Sequence, residues 1–368
     1  MATLKEKFRG CIAGSWVGSS MGAPVEGWSP EQIEQTHGVL REPVAYEHYS
    51  NGWQRPAGTT EDGIERQKLI ATAIIEKQER ILASDLVGVW RRDLDPEKVP
   101  YKQERFDLSL LELAAAGVPA FELGRFWHHQ NVNSVARASH PLGLINAGDP
   151  RAAADDTYEV GRVYAKESST ALRWAALYNA SIAAACRPDA TVDDVLRTAR
   201  QYAGYRSEPG GLYARYDTIS DELGRALEWS RECTDWRALR DRFAEHYYGG
   251  PHVTYGMSQA NEVVCKGVAI FAVAGGDPEE TIVAAVNFGR DTDCIAAVAG
   301  GLAGALAGIA RVPGKWVETV NDATRRDPYT NNNRTIEETA DALLEAYRLR
   351  RRRLAEWLNL MDDGEPHL

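Results

Sequence analysis

The sequence predicts an all-α protein, and three observations carry that expectation. No long window alternates apolar and polar residues with a period of two. Helix start signals recur along the chain: Ser29-Pro30 with Gln32, Asp149-Pro150, Asp277-Pro278-Glu279-Glu280, and Thr335 with Glu338. Two stretches also carry glycines spaced by four, at Gly10, Gly14, Gly18 and Gly22 and again at Gly300, Gly304 and Gly308. On a helix that spacing lies along one face and lets another backbone approach closely.

The first expected helix is 4–22, which carries the first glycine stripe. The loop MGAPVEGWSPEQI follows and ends in the capping signature at Ser29. Residues 41–59 are punctuated by Gly and Pro and read as irregular. Thr60-Glu61-Asp62-Gly63 then opens a helix whose apolar positions 64, 69, 70, 73 and 74 share a face. Further helices are expected at about 84–94, 107–116 and 119–128, and residues 129–149 read as a polar loop. Helices resume at about 150–186, 191–204, 216–230 and 235–246. A turn at Gly249-Gly250-Pro251 precedes a helix at 258–274. The next helix starts at Asp277-Pro278 and delivers the chain to NFGRDTDCIAAVAGGLAGALAGI, whose second part reads as a buried helix. After Pro313 a loop leads to a long C-terminal helix, 335–361, and the final DDGEPHL is expected to fray. The two glycine stripes either pack on each other or each pack on some other helix.

Composition narrows the possible functions. A chain of 368 residues with 44% hydrophobic content can bury a large core without disulfides. The net charge of −11 disfavours nucleic-acid binding through phosphates. The five cysteines are scattered, with no metal-binding spacing, which suits a reduced cytoplasm. No secretory leader is evident, and the uncharged run 295–310 is too short and too rich in Ala and Gly for a membrane span. No linker or repeat divides the chain, so residues 1–368 are expected to form a single domain.

Two acidic clusters stand at helix starts: Glu61 and Asp62 after Thr60, and Asp291 and Asp293 two residues apart. A helix N-terminus tolerates carboxylates, but crowding them calls for a counter-ion, and hard oxygen ligands suit Mg²⁺, Mn²⁺ or Ca²⁺. The alternative is that these acids only cap their helices. Glu26, between Pro24 and Trp28, is a catalytic candidate or a surface acid. The loop HQNVNSVARASHPLGLINAGD contains Asn131, Asn133, Ser134 and His140. Its Asn, Ser, His and Gly content suits sugar and phosphate oxygens, or an ordinary connection. Arg350 to Arg353 form an anion patch or a solvated helix face.

Three segments resemble the signature blocks of the ADP-ribosylglycohydrolase family: GCIAGSWVGSSMGAPVEGW, TTEDG, and GRDTDCIAAVAGGLAGALAGI followed by VPGKW. The piece VARASHPLGLINAGDP is similar to that family's middle block. The resemblance implies a single-domain orthogonal helical bundle with a central metal-binding cleft, and hydrolysis of the bond between ADP-ribose and a protein side chain. It implies a binuclear Mg²⁺ site, with Mn²⁺ a substitute, on Thr60, Glu61, Asp62, Asp291 and Asp293, which the departures at Glu61 and Cys294 leave at one or two ions. Glu26 would be the catalytic acid/base. Asn131, Asn133, Ser134, His140 and Arg290 would meet the substrate.

Several positions depart from the family pattern. Glu61 replaces an aspartate, Gly63 and Cys294 replace threonines, Arg290 replaces a glycine, and Ser19 replaces an aspartate. The family's Thr-His pair is not evident near Ser168 to Thr170. These departures bear on the second metal position. They also favour a smaller ribosyl compound over an ADP-ribosylated protein. Arg290 is expected to meet a substrate phosphate or carboxylate, or to pair with Glu61. The alternative reading is a catalytically silent member that binds ADP-ribose or serves a structural role. A further alternative is an unrelated helical protein whose acids only cap helices.

Overall fold

The protein is all-α, built on a pair of helices whose backbones touch. The computed structural model describes residues 1–48, 51–206, 218–247 and 257–361. Among the described residues the helices are α1 (Leu4–Gly22), α2 (Pro30–His37), α3 (Asp62–Lys77), α4 (Ala83–Asp93), α5 (Val99–Lys102) and α6 (Arg105–Ala115). They continue as α7 (His140–Ile145), α8 (Pro150–Gly161), α9 (Thr170–Ala185), α10 (Val192–Ala203), α11 (Ile219–Glu232) and α12 (Trp236–Tyr247). The last are α13 (Ala260–Val273), α14 (Pro278–Val286), α15 (Thr292–Ala307), α16 (Gly314–Arg326) and α17 (Ile336–Met361).

The glycine stripes do pack on each other. Gly10 faces Gly304, Gly14 faces Gly300, Gly18 faces Ala296, and Gly22 faces Thr292 and Asp293. The pairing is therefore antiparallel, and it sets the end of α1 beside the start of α15. A Cβ on Gly22 would lie 2.5 Å from the Cα of Asp293, so no side chain fits there without separating the helices. The Thr292 hydroxyl donates to the Gly22 carbonyl at 2.8 Å and fixes the register. Helices α9, α13 and α14 pack around α15, and α17 packs on α1. The apolar core runs from Phe8 and Trp16 through Trp174 and Val298 to Leu343.

A buried polar thread crosses this core. Trp16 Nε1 donates to Gln67 at 2.7 Å, and Gln67 Nε2 lies 2.9 Å from His140 Nδ1. His140 Nε2 lies 3.1 Å from the Ala297 carbonyl and 2.7 Å from the Tyr178 hydroxyl. Because buried polar groups need partners, the thread fixes how α1, α3, α7, α9 and α15 sit together. A second buried network anchors the segment after α16. Burial alone would raise the pKa of Glu65, but Lys68 and Lys102 outweigh it and hold the carboxylate down to about 2. Glu65 also accepts from the backbone N–H of Asn331 at 2.7 Å.

Four local expectations need correction. Residues 41–59 contain a small antiparallel hairpin, β1 (Tyr46–Glu47) and β2 (Gln54–Arg55), with Tyr46 opposite Arg55. The expected helix at 119–128 is a 3₁₀ segment, Ala120–Phe126, where the Gly124 N–H donates to the Arg162 carbonyl at 2.9 Å. The loop 129–149 contains the short helix α7. The segment after Pro313 is not a loop, since α16 buries Trp316, Val317, Val320 and Thr324 on one helical face.

Helices α8 and α9 divide the stretch 150–186, and Thr335 with Glu338 makes the expected capping interaction at the start of α17. Arg350 is not merely a solvated cation: its Nη1 donates to the Ile145 carbonyl at 2.8 Å, at the end of α7. Residues 216–217, the turn at Gly249-Gly250-Pro251 and the DDGEPHL tail lie outside the described residues.

Candidate functional site

The α1–α15 pairing decides where the carboxylates meet. Glu26 follows a 3₁₀ turn, Ala23–Val25, that continues directly from α1. Its loop is tied to the start of α15 by two backbone hydrogen bonds, Gly27 N–H to Arg290 at 2.7 Å and Arg290 N–H to Trp28 at 2.8 Å. Arg290 adopts φ +68°, a left-handed conformation that costs a non-glycine residue about 1 kcal/mol or more. The start of α3 joins from the other side, where the Glu61 N–H donates to Ser19 Oγ at 3.3 Å.

Glu26, Thr60, Glu61, Asp62, Asp291 and Asp293 thus converge where α1, α3 and α15 meet. Thr60, Glu61, Asp62, Asp291 and Asp293 are all buried. Their proximity bears on the protonation of Glu26 and Asp293. Burial, then Asp291 and Glu61, raise the pKa of Glu26 against the lowering effect of His48. Burial, Glu26 and Asp291 push Asp293 well above the usual carboxylate range. Glu61 and Asp291 each stand at the N-cap position of their helix, yet neither side chain makes a capping hydrogen bond. Capping therefore does not account for them.

The hairpin supplies partners that sequence reasoning missed. Tyr46 and Arg55, opposite one another across the strands, both donate to Glu61 Oε1. His48 Nε2 lies 2.9 Å from Glu26 Oε2. The hairpin left only a weak signal: the turn-favouring pair Asn51-Gly52 lies between Tyr46 and Arg55 in sequence. Arg137 was missed as well. Its Nη1 and Nη2 donate to the two oxygens of Asp62 at 2.8 and 2.5 Å, and Arg66 Nη1 lies 3.0 Å from Asp62 Oδ2.

The residues expected to meet substrate divide into two groups. Asn133 is buried in the site and donates to Asp291 Oδ2 at 3.0 Å, and Ser134 is buried next to it. Asn131 is exposed and accepts from the Thr170 hydroxyl at 2.8 Å instead. His140 is no lining residue. It is fully buried in the helix packing, and burial lowers its pKa to about 4. Arg290 pairs with Glu262, not Glu61, with its Nε 2.6 Å from Glu262 Oε1. The cation expected for a substrate phosphate is therefore engaged with a buried carboxylate.

Part of the acidic centre fits a metal ion. Ligand atoms of Asp291, Asp293 and Cys294 all lie within 4.8 Å of one another. Asp291 Oδ1, Asp293 Oδ1, Glu61 Oε2 and Thr60 Oγ1 are buried without a hydrogen-bond partner. Uncompensated buried oxygens of this kind are costly, and a hard cation would satisfy them. Asp62 does not fit, because both of its oxygens already serve guanidinium groups.

Comparison with known proteins gives the family and the fold. The ADP-ribosylglycohydrolase family model matches residues 1–353. The chain belongs to the ADP-ribosylglycohydrolase family. An uncharacterised protein of Archaeoglobus fulgidus is 26% identical over 335 residues, covering 87% of this chain and 93% of that one. A solved structure described as an ADP-ribosylglycohydrolase-related protein complex superposes with a TM-score of 0.66 at 21% identity. That match covers 95% of this chain and 100% of the other, and it speaks for the fold. Membership makes the chain a relative of glycosyl hydrolases, in a family that is typically metal-dependent. Among the described residues no helix is long and apolar enough to cross a membrane.

Proposed function

We propose that this protein hydrolyses a glycosidic bond to ribose at the acidic centre between α1, α3 and α15, with Mg²⁺ as the metal and Mn²⁺ as a substitute. The observation that carries this reading is the set of unpartnered buried oxygens on Thr60, Glu61, Asp291 and Asp293 beside Glu26. A divalent cation held by Asp291 and Asp293 would supply Lewis acidity to the ribose hydroxyls and to the attacking water. Glu26 acts as base toward that water or as acid toward the leaving group, and His48 orients its carboxylate at 2.9 Å. The buried walls limit bulk water, so charges formed as the anomeric carbon becomes cationic are felt strongly. Asn133 holds Asp291, and Ser134 offers a hydroxyl to the sugar.

A compound smaller than an ADP-ribosylated protein suits the site better, since Arg290 is engaged with Glu262 rather than placed for a phosphate. We take the chain to act as a single domain, in the cytoplasm and without a nucleic-acid partner. The internal pairing of Glu61 and Asp62 favours a second reading, a silent family member that binds ADP-ribose or serves structurally.

Turnover of ribosyl-arginine and ADP-ribosyl-arginine, followed by mass spectrometry, separates the two readings. The enzyme reading predicts Mg²⁺-dependent release of the sugar. It also predicts that Glu26→Gln lowers turnover by at least about 100-fold with its circular dichroism unchanged. A wild-type protein that binds ribosyl ligands but releases nothing supports the silent reading.

A further inference from the structure

The second half of the acidic centre is filled by the protein itself. Arg137 is buried, and its guanidinium bridges the two acidic clusters, reaching Asp62 through both Nη atoms and lying 3.2 Å from Cys294 Sγ. Glu104 adds a longer contact at 3.4 Å, and Arg66 shares Asp62. The local sequence makes room for this side chain. A Cβ at Gly63 would stand 2.9 Å from Arg137 Cδ and 3.0 Å from Cγ, so a larger residue there would displace the arginine stem. Cys294 contributes a soft thiol, a poor ligand for a hard dication, where the family pattern has a hydroxyl. Glu61, at the same end of α3, pairs with Arg55 and Tyr46 through Oε1, which leaves only Oε2 unpartnered.

Charge then decides occupancy. A dication coordinated by Asp62 would have to displace the guanidinium that already satisfies both of its oxygens, or sit against it as a like charge. The opposite holds for Asp291 and Asp293, each of which keeps one buried oxygen without a donor. Two carboxylates and one dication balance.

We infer that this protein takes a single divalent cation, held by Asp291 and Asp293, and that the Arg137 guanidinium between Asp62 and Cys294 supplies the positive charge that a second ion would otherwise provide. The inference rests on the metal-dependent reading of the site and departs from the two-ion centre that the family resemblance implies.

The test is Mn²⁺ binding to the full-length protein, by equilibrium dialysis with elemental analysis and by low-temperature electron paramagnetic resonance. The expected result is one Mn²⁺ per chain with the six-line spectrum of an isolated ion. Asp293→Asn should weaken Mn²⁺ affinity at least about tenfold, whereas Asp62→Asn should leave it within about threefold. Two ions per chain with a spin-coupled spectrum would overturn the inference, as would a wild-type protein that binds none. Loss of binding in a folded Asp62→Asn variant would overturn it too. The wild-type stoichiometry decides the matter even if a variant fails to fold. Turnover is a separate readout: one isolated ion without hydrolysis defeats the functional proposal alone, and two coupled ions with hydrolysis defeat this inference alone.

Discussion

His140 shows how far residue type and position in the sequence can mislead. A histidine in a loop of Asn, Ser and Gly suggests a polar site, but the ring is sealed among five helices with both nitrogens engaged. The pattern fits a neutral ring that accepts at Nδ1 and donates from Nε2. Burial holds its folded pKa at about 4, below the unfolded value of about 6.5. Protonation therefore favours the unfolded chain. The associated stability is fully present above pH 6.5 and is lost as pH falls through 4, amounting to about 3 kcal/mol. Urea unfolding of wild type and His140→Leu across pH 4 to 7 checks this. The wild type should lose that much more than the variant, and parallel curves would refute a neutral His140. Arg137 is the opposite case, a lone arginine in VARAS with nothing nearby in sequence to reveal that it neutralises Asp62.

At the scale of elements, the glycine stripes were the most legible feature of the sequence. Spacing of four required close backbone approach, and the only open point was whether the stripes met each other. They do, and that pairing carries Glu26 to Asp291. Gly14→Ala would place a methyl group against the Gly300 carbonyl, backbone against backbone with no flexible side chain to yield. The cost should reach about 2–3 kcal/mol or more, read as a drop in melting temperature. An unchanged melting temperature would contradict the pairing.

Less legible were elements whose cues are weak or non-local. Helix α16 opens at Gly314 without a side-chain cap and shows only three large apolar residues, Trp316, Val317 and Val320. The hairpin has strands of two residues each, too short for any periodicity to register. Its contribution depends on Tyr46 and Arg55 reaching Glu61, and no spacing rule encodes that contact.

For the whole molecule, the all-α class followed from caps and periodicity, and the acidic centre followed from two motifs far apart in the chain. What the sequence could not supply was the charge balance among them. Glu61 and Asp62 look equivalent to Asp291 and Asp293 as a string of acids. In space both oxygens of Asp62 meet guanidinium groups and Glu61 pairs with Arg55 through Oε1, whereas Glu61 Oε2 and one oxygen each of Asp291 and Asp293 stay unpartnered. The proposed function therefore depends on which acids remain uncompensated after folding.

The central claim is that Asp291 and Asp293 bind ribose through a divalent cation. Calorimetric titration of ADP-ribose and of ribose 5-phosphate into the Mg²⁺-loaded protein, each repeated after EDTA treatment, tests it most directly. The account predicts saturable binding of at least one of them at one site per chain, abolished by EDTA and by Asp293→Asn. Binding of neither ligand to the metal-loaded protein, or binding that persists unchanged in EDTA, would contradict it.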